Sequence, residues 1–466
     1  MPRRNLFALA LVGAVTLFCW QASHGAKPKD EMMELYGVFV DAVEQVEANY
    51  VRPVNRRELL ESALKGMLQN LDPHSSFINT SEWRQFKRQI EGRFGGIGIQ
   101  VGMDPELNRL KVIAPMVGTP AYEAGILAGD LIMEIDGQTT EGMNPDKAVE
   151  VLTGRPGTPV KLAVLHEGEE KTETLTMNRA IIDVPSVLGD SRKPDDQWNF
   201  MLDKDRKIGY IRISSFIQNT TEELKKALNE LKSEGMKALV LDLRDNPGGL
   251  LGAAVEISDL FVENGLIVST KGRNTVTKTY EAQKEGTFDG FPMVVLVNQN
   301  SASAAEIVSA CLQDHDRAAV VGQRSYGKGS VQNIIDLEDG NSVLKLTVAT
   351  YQRPSGKNIH RFKNAKESDE WGVSPNPGME VKLARSEFEA WFLARRDRDL
   401  VTNGKHHKKA PDAKPEAKDK DKDKDKENDK DDPAKEAGKG KPFADRPLAK
   451  ALDVVKGRLD AAMAKK

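Results

Sequence analysis

The chain has 466 residues, and its formal net charge is −3 because 67 lysines and arginines nearly balance 70 aspartates and glutamates. This length is enough for two or three domains of roughly 100–200 residues each. The charge balance leaves no basic excess of the kind that a nucleic-acid-binding domain relies on. Composition therefore favours a multidomain globular protein and argues against a nucleic-acid binder.

The N-terminus has the layout of a secretory signal peptide over residues 1–25. Two arginines precede an apolar run at 6–20, and a short segment with small residues follows. This order predicts cleavage before Ala26 and an exported protein, periplasmic or extracellular. An uncleaved signal anchor, and with it membrane association, is the alternative, although the run is short for a membrane span. A lipoprotein is disfavoured, since the bulky Phe18 precedes Cys19.

Cys19 and Cys311 are the two cysteines of the chain. After signal cleavage Cys311 would remain alone, so we expect no internal disulfide. Cys311 lies between Ala310 and Leu312 in a helical pattern. We interpret it as a small buried apolar residue and not as a thiol nucleophile.

Residues 26–89 have the apolar spacing of helices. Apolar residues recur every three or four positions from Met32 to Val46 and again from Leu59 to Met67,. The second pattern stops before Leu-Asp-Pro-His-Ser at 71–75, where we interpret His74 as a structural residue of a turn,. We therefore predict an N-terminal helical region.

Residues 90–183 change to short strands separated by glycines. A glycine loop at 95–98 leads into a strand, Pro-Ala-Tyr-Glu-Ala-Gly-Ile at 120–126 predicts a short helix closed by glycine, and Gly-Asp-Leu-Ile follows at 129–132,. Over about ninety residues this order resembles a PDZ domain in the circularly permuted arrangement of secreted proteases.

The glycine loop of a PDZ-like domain is suited to peptide binding. Its free N–H groups can hold the terminal carboxylate of a peptide, and the open edge of the next strand can add the peptide as a further strand. Our candidates are Gly96, Ile97, Gly98 and Ile99 for the carboxylate loop and Ala148, Val149 and Leu152 for the side-chain pocket. A glycine-rich turn without a ligand is the alternative.

Residues 184–385 alternate apolar runs with amphipathic helices. The predicted strands include 208–213, 238–243, 293–298 and 319–322, and the predicted helices include 222–234, 252–261 and 302–312. This alternation predicts an α/β core with a largely parallel, buried sheet. The expected fold class is thus α/β in a multidomain α+β chain: a helical N-terminal segment, an inserted PDZ-like β domain and an α/β core.

The C-terminal part changes in character. We predict a helical extension at 386–403 and a disordered linker at 404–442, where lysine alternates with aspartate or glutamate,. An apolar stripe at Leu448, Leu452, Val455 and Leu459 predicts a short helix within 443–466,.

Ser303 is the first candidate catalytic residue. It follows a predicted strand at the carboxyl end, where α/β sheets build their sites,. Its neighbours Ala302 and Ala304 are small, and helix-start N–H groups suit an oxyanion,. Ser303 and Glu306 also fit a capping box, in which the serine only satisfies the helix start,. The local pattern leaves both interpretations open.

Two further segments carry candidate chemistry. Pro-Gly-Gly at 247–249 ends another strand and could present an N–H to a substrate carbonyl, or it is an ordinary turn,. Lys328 is a candidate base, which requires burial to make its amine neutral, and Gln332 could orient it,. A solvated loop lysine is the alternative. A P-loop is disfavoured, because Gly329 replaces the required Ser or Thr,.

Four motifs resemble the carboxyl-terminal processing, or tail-specific, serine protease family: residues 71–75, 242–249, 300–306 and 326–332. With the PDZ-like insert, the resemblance spans about residues 31–383. It implies that Ser303 is the nucleophile, Lys328 its general base and Gln332 the residue that orients Lys328. It also implies an oxyanion hole formed by Gly248, Gly249 and Ala304, and Ser301 is then a loop residue.

We therefore expect an exported serine endopeptidase that captures protein substrates by their accessible, apolar C-termini and needs no metal or organic cofactor. A homodimer or an adaptor protein is left open as a partner. Two alternatives remain: a catalytically silent PDZ peptide-binding scaffold, and an acyl-thioester enzyme of the crotonase-like fold, in which a Gly-Gly oxyanion turn also occurs.

Overall fold

The computed structural model describes residues 31–401 and 443–464. The predicted signal peptide and charged linker lie outside the described residues. Within them the chain divides into two compact units, one of residues 31–79 and 334–346 and one of residues 80–333, 347–401 and 443–464. Among the helices of these ranges, none combines the length and the apolarity that a membrane crossing needs.

The first unit contains α1 (Glu31–Asn49), α2 (Arg56–Gln69) and β1 (Ser76–Ile78). α2 begins where the Asn55 side chain accepts a hydrogen bond from the N–H of Arg57 at 2.9 Å,. The turn before β1 is held by Asp72, whose carboxylate accepts the N–H of His74 at 2.7 Å and of Ser75 at 2.9 Å. β1 pairs antiparallel with residues 343–345.

The second unit begins with a helix and a small sheet domain. Its elements are α3 (Thr80–Glu91), β2 (Arg93–Gly96), β3 (Ile99–Asp104), β4 (Arg109–Pro115), α4 (Pro120–Glu123), β5 (Leu131–Ile135), β6 (Gln138–Thr139), α5 (Pro145–Leu152), β7 (Pro159–Leu165), β8 (Glu173–Asn178) and β9 (Ala180–Asp183). The strand order is β3-β4-β5-β7-β8, with β6 beside β5, and β2 pairs with β9. β3 is therefore an edge strand of the sheet.

The chain from residue 187 onward contains the α/β core and also, at 334–346, the second segment of the first unit. Its elements are β10 (Val187–Leu188), β11 (Ser191–Arg192), β12 (Trp198–Asn199), β13 (Met201–Asp203), β14 (Ile208–Ile213), α6 (Thr220–Ser233), β15 (Ala238–Asp242), α7 (Leu251–Asp259), β16 (Gly265–Lys271), β17 (Lys278–Ala282), β18 (Met293–Val297), α8 (Ala304–Asp314), β19 (Ala319–Gly322), β20 (Ser330–Leu337), a 3-10 turn (Glu338–Gly340), β21 (Ser342–Gln352), α9 (Arg385–Asp399) and α10 (Arg446–Ala464). Strands β14, β15, β18 and β19 are parallel neighbours.

The parallel strands are buried on both faces, which explains their continuous apolar sequence. Because side chains alternate along a strand, Leu239 and Leu241 pack on one face with residues of α6, α7 and α8,. Val240 packs on the other face with Leu448 and Val455 of α10. The predicted fold class, an α/β core with a PDZ-like β domain, is confirmed.

Some elements of the core have no clear signal in the sequence. The core carries a β16–β17 hairpin that pairs antiparallel with residues 350–352 of β21, and four short strands connect the small domain to β14. These strands are very short or pair with segments that are distant in the chain. They therefore show no distinctive apolar periodicity in the sequence.

Candidate active site

Ser303 lies immediately before α8, which places it at the carboxyl end of β18, beyond a short loop. The residue is 6 % exposed, and its backbone has φ 55° and ψ −114°. A residue with a Cβ rarely adopts a positive φ, and such strain costs on the order of 1–3 kcal/mol. Helix caps normally have extended backbone, so this conformation is unusual for a residue that only caps.

The capping interaction at this helix start is carried by Glu306. Its Oε2 accepts the Ser303 N–H at 2.8 Å, and the Ser303 carbonyl accepts the N–H groups of Glu306 and Ile307. The Ser303 hydroxyl makes no capping hydrogen bond to the helix. The hydroxyl is thus not needed for the helix start.

Glu306 also binds the loop that carries Lys328. Its fully buried carboxylate accepts the N–H of Gly327 at 2.7 Å, the N–H of Lys328 at 2.8 Å and the Ser325 hydroxyl at 2.5 Å. The N–H groups of Ser303 and Lys328 therefore share the atom Oε2, and their nitrogens cannot be more than twice 2.8 Å apart. Burial raises the pKa of Glu306 to about 7, although these four donors favour the ionised form,.

The backbone on both sides of Lys328 is fixed. The Gly327 carbonyl accepts the Arg361 N–H at 2.8 Å, and the Gly329 carbonyl accepts the Tyr351 N–H at 2.8 Å. A Cβ on Gly329 would lie 2.5 Å from the backbone nitrogen of His360, so this position accommodates only glycine. Lys328 itself is half-buried, and β20 begins two residues later. A strand at this point does not fit a phosphate-binding loop, which leads into a helix.

Gln332 lies on β20. Its Nε2 donates to the hydroxyls of Ser330 at 2.8 Å and Thr347 at 3.2 Å. Both donor positions of the amide are used, so its oxygen is the atom suited to accept a hydrogen bond from an amine. The role of Gln332 in orienting Lys328 stays a prediction.

The Pro-Gly-Gly turn lies against the nucleophile candidate. A Cβ on Gly248 would be 2.7 Å from the Ser303 Cβ and 3.0 Å from the Ala304 nitrogen. The Gly248 N–H donates to Asn246 Oδ1 at 2.8 Å. Within residues 31–401 and 443–464, the N–H groups of Gly249 and Ala304 have no acceptor. Of the three predicted oxyanion donors, Gly249 and Ala304 are therefore better suited than Gly248.

The competing nucleophiles are occupied by structural interactions. The fully buried Ser301 hydroxyl donates to the Leu243 carbonyl at 2.7 Å and accepts the Asn298 N–H at 2.9 Å. Cys311 is buried, and burial raises the pKa of its thiol to about 12. Neither side chain is arranged as a nucleophile.

Two residues of the site were missed at the sequence level. The sequence pattern indicates Glu306 only as a capping partner, because its hydrogen bonds to residues 325–328 join segments that are distant in the chain. Tyr351, on β21, hydrogen-bonds with the Ser303 side chain, and burial raises the pKa of its phenol to about 12. Nothing in the spacing of Tyr351 pointed to Ser303.

The candidate peptide site lies in the small sheet domain. The loop between β2 and β3 contains Ile97 and Gly98, with Gly96 and Ile99 at the strand ends. Gly98 has φ 80°, and its carbonyl accepts the Met116 N–H at 2.9 Å. On α5, Ala148 and Leu152 are buried in the domain core, whereas Val149 is 42 % exposed. Val149 is thus the member of the predicted pocket that solvent reaches.

Comparison with known proteins gives the family. Residues 207–375 match peptidase family S41, and residues 111–165 match a PDZ domain. The chain is 37 % identical over 378 residues to the carboxy-terminal-processing protease of Bartonella bacilliformis, covering 78 % of this chain and 81 % of that protein.

Two further relatives agree. The carboxyl-terminal-processing protease of Synechocystis sp. is 36 % identical, with 71 % of this chain and 74 % of that protein covered. The carboxy-terminal processing protease CtpA of Bacillus subtilis is 34 % identical, with 76 % and 74 % covered. The chain therefore belongs to the carboxy-terminal processing protease family, the PDZ-containing serine-type peptidases of family S41.

Proposed function

We propose that the protein is an exported endopeptidase that uses a Ser303–Lys328 dyad to cleave protein substrates near their C-termini after capture by the PDZ domain. One observation carries the dyad: a single buried carboxylate oxygen of Glu306 accepts the backbone N–H of both residues. The serine segment and the lysine segment are thereby held side by side, although neither is adjacent to the other in the chain.

The dyad acts by acyl transfer. The neutral Lys328 amine takes the proton of Ser303 Oγ as the oxygen attacks the scissile carbonyl carbon. The N–H groups of Gly249 and Ala304 stabilise the resulting oxyanion. The protonated Lys328 then gives its proton to the leaving amine, which leaves an acyl-Ser303. Water, deprotonated by Lys328, attacks the carbonyl carbon of this ester. Lys328 then returns the proton to the departing Ser303 Oγ, and the new C-terminal carboxyl group of the substrate is released.

Capture uses the edge strand of the PDZ domain. We assign this domain to residues 90–183 and the catalytic core to residues 184–385. Because β3 ends its sheet, an extended peptide can pair with its free edge, and the loop at 96–99 can hold the peptide carboxylate,. The exposed Val149 on α5 suits contact with an apolar C-terminal side chain.

Export follows from the N-terminal pattern. The signal-like residues 1–25 lie outside the described residues, so their sequence alone supports this part of the proposal,. The test is the size of the mature protein in the secreted or periplasmic fraction.

Separate Ser303→Ala and Lys328→Ala variants test the dyad, with Lys363→Ala, an exposed lysine, as the matched control. Cleavage of a protein with an apolar C-terminal tail is followed by mass spectrometry, and binding of the tail peptide by fluorescence anisotropy. We expect both dyad variants to lose cleavage and keep binding, while the control keeps both. A serine-directed acylating probe should label Ser303 in the wild-type chain.

Other results identify other functions. A wild-type chain that binds the tail but never cleaves it is a peptide-binding scaffold. Cleavage that survives Ser303→Ala excludes the proposed nucleophile, and absence of serine labelling would favour the acyl-thioester class, which needs no acyl-serine.

A further inference from the structure

Arg244 is a buried cation at the end of β15. The residue is 5 % exposed, and its Nη2 donates to Asp242 Oδ2 at 2.6 Å. Its Nε lies 3.0 Å from each oxygen of the same carboxylate. The Tyr210 hydroxyl donates to Asp242 Oδ2 at 2.6 Å. Asp242 alone could neutralise the Arg244 charge.

A second carboxylate binds the same guanidinium. Asp445, which immediately precedes α10, accepts Arg244 Nη1 at 2.8 Å and Nη2 at 2.9 Å. The indole N–H of Trp391 also donates to Asp445 at 3.1 Å, and the Arg244 guanidinium lies 4.8 Å from the centre of that ring. Asp445 is 201 positions from Arg244 in the chain. A bidentate pair of this kind fixes direction as well as charge.

The backbone that follows Arg244 leads directly to the candidate oxyanion turn. Asp245 has φ 56° and donates its N–H to Asn298 Oδ1 at 2.9 Å. The Asn246 carbonyl accepts the Ala302 N–H at 2.9 Å. The turn thus contacts the segment that precedes Ser303, and it follows Arg244 directly in the chain.

We propose that Asp445 is a positioning residue: by holding the Nη1 and Nη2 edge of the Arg244 guanidinium, next to the Nε and Nη2 edge that Asp242 holds, it fixes the turn at 245–249 against Ser303. The segment before the last helix is then part of the catalytic apparatus, although a long charged stretch separates it from the core sequence. The inference rests on the proposed function, because it assigns the turn to the oxyanion hole.

The test uses Asp445→Asn in the full chain. Asn removes the charge but caps a helix as well as Asp does, so the hydrogen bond from Leu448 N–H to Oδ1, 3.0 Å long, can be kept,. Asp453→Asn is the matched control, because Asp453 is an exposed carboxylate on the same helix. We expect Asp445→Asn to lower kcat about tenfold. A misplacement of about 1 Å in an aligned catalytic group can cost about a hundredfold, and the displacement expected here is smaller. KM for a tail peptide should stay unchanged.

Two further measurements separate positioning from general destabilisation. Asp445→Asn should cause no additional loss of kcat in an Arg244→Gln background, because the pair is already broken there. Hydrogen–deuterium exchange of the amides at 244–250 should be faster in Asp445→Asn than in the wild type, and unchanged in Asp453→Asn.

The exchange measurement does not depend on catalysis. If wild-type cleavage does not require Ser303, the proposed function fails, whereas the exchange result still reports on the link between Asp445 and the turn. Unchanged exchange at 244–250, a wild-type kcat in Asp445→Asn, or an equal loss in the Asp453→Asn control would each overturn the inference.

Discussion

Gly248 lies so close to Ser303 that a Cβ on the glycine would be 2.7 Å from the Cβ of the serine. Gly248 follows β15 and Ser303 follows β18, and these two strands are parallel neighbours in one sheet. Carboxyl ends of parallel strands meet at one edge, which is where α/β folds place their sites. The close approach also explains why the turn needs a residue without a side chain.

Gly248→Ala should abolish most of the activity. The added methyl group would also meet the Ala302 carbonyl at 2.8 Å, and the φ of 98° is unfavourable for alanine. Because several backbone atoms next to Ser303, the proposed nucleophile, must shift, we expect kcat to fall by at least about a hundredfold and the free energy of unfolding by about 1–3 kcal/mol.

Gly252→Ala is the control for that substitution. A Cβ there has no atom within 4 Å, and the residue lies in helix α7. Alanine in a helix is favoured over glycine by roughly 0.5–1 kcal/mol, so this variant should be slightly more stable and fully active. Cleavage assays and denaturant unfolding of both variants check the pair. Comparable activities would contradict the role of Gly248.

Glu306→Gln should uncouple the two residues of the proposed Ser303–Lys328 dyad. The amide keeps one carbonyl oxygen but turns an NH2 group toward N–H donors that the carboxylate now accepts. Each buried donor left without an acceptor costs about 1–3 kcal/mol. The loop of Lys328 should therefore no longer be held beside Ser303, and kcat should fall at least tenfold. Glu256→Gln, an exposed carboxylate on α7, should leave kcat unchanged. A Glu306→Gln enzyme with wild-type kcat would argue against the shared carboxylate as the element that carries the site.

The same substitution should change how stability depends on pH. Burial raises the pKa of Glu306 from 4.5 to about 7, so between these values the folded chain holds a proton that the unfolded chain has released. The free energy of unfolding contributed by this group therefore falls as pH rises through that window and is constant above it. The difference in unfolding free energy between wild type and Glu306→Gln should shrink from about pH 4.5 to about pH 7.5, measured by denaturant titration. A difference that is constant or grows with pH contradicts the assignment.

The sequence supports the fold better than the site. Parallel strands such as β15 and β18 are buried on both faces, and their continuous apolar runs are visible locally. By contrast, the sequence around Ser303 fits a helix cap as well as a nucleophile, because a local pattern cannot show that Glu306 also binds the loop of Lys328. The pairing of the two candidate catalytic residues came from family resemblance. Asp445 was not found at all, since its partner Arg244 is distant in the chain.

Cys311 should be inert toward alkylating reagents in the folded protein. It is buried inside α8, and burial raises the pKa of its thiol to about 12, whereas the thiolate is the reactive form,. Iodoacetamide at about pH 8 should neither modify Cys311 nor reduce cleavage, and denaturation should expose the thiol to labelling. Mass spectrometry of the peptide that contains Cys311 gives the answer. Inhibition that parallels modification would revive a thiol mechanism.

Gly98→Ala should weaken peptide capture and leave the chemistry intact. Gly98 has φ 80°, and a Cβ there would lie 2.4 Å from the Thr119 Cβ, so the loop at 96–99 must move. Because hydrogen bonds to a charged carboxylate contribute about 1.5–3 kcal/mol each, losing one should raise KM for a C-terminal peptide at least about tenfold. Gly168→Ala is the control: its φ is 81°, but a Cβ there has no atom within 4 Å. The control carries the same backbone strain outside the loop and should keep the wild-type KM. A fall in kcat at constant KM in Gly98→Ala would instead place this loop in the catalytic step.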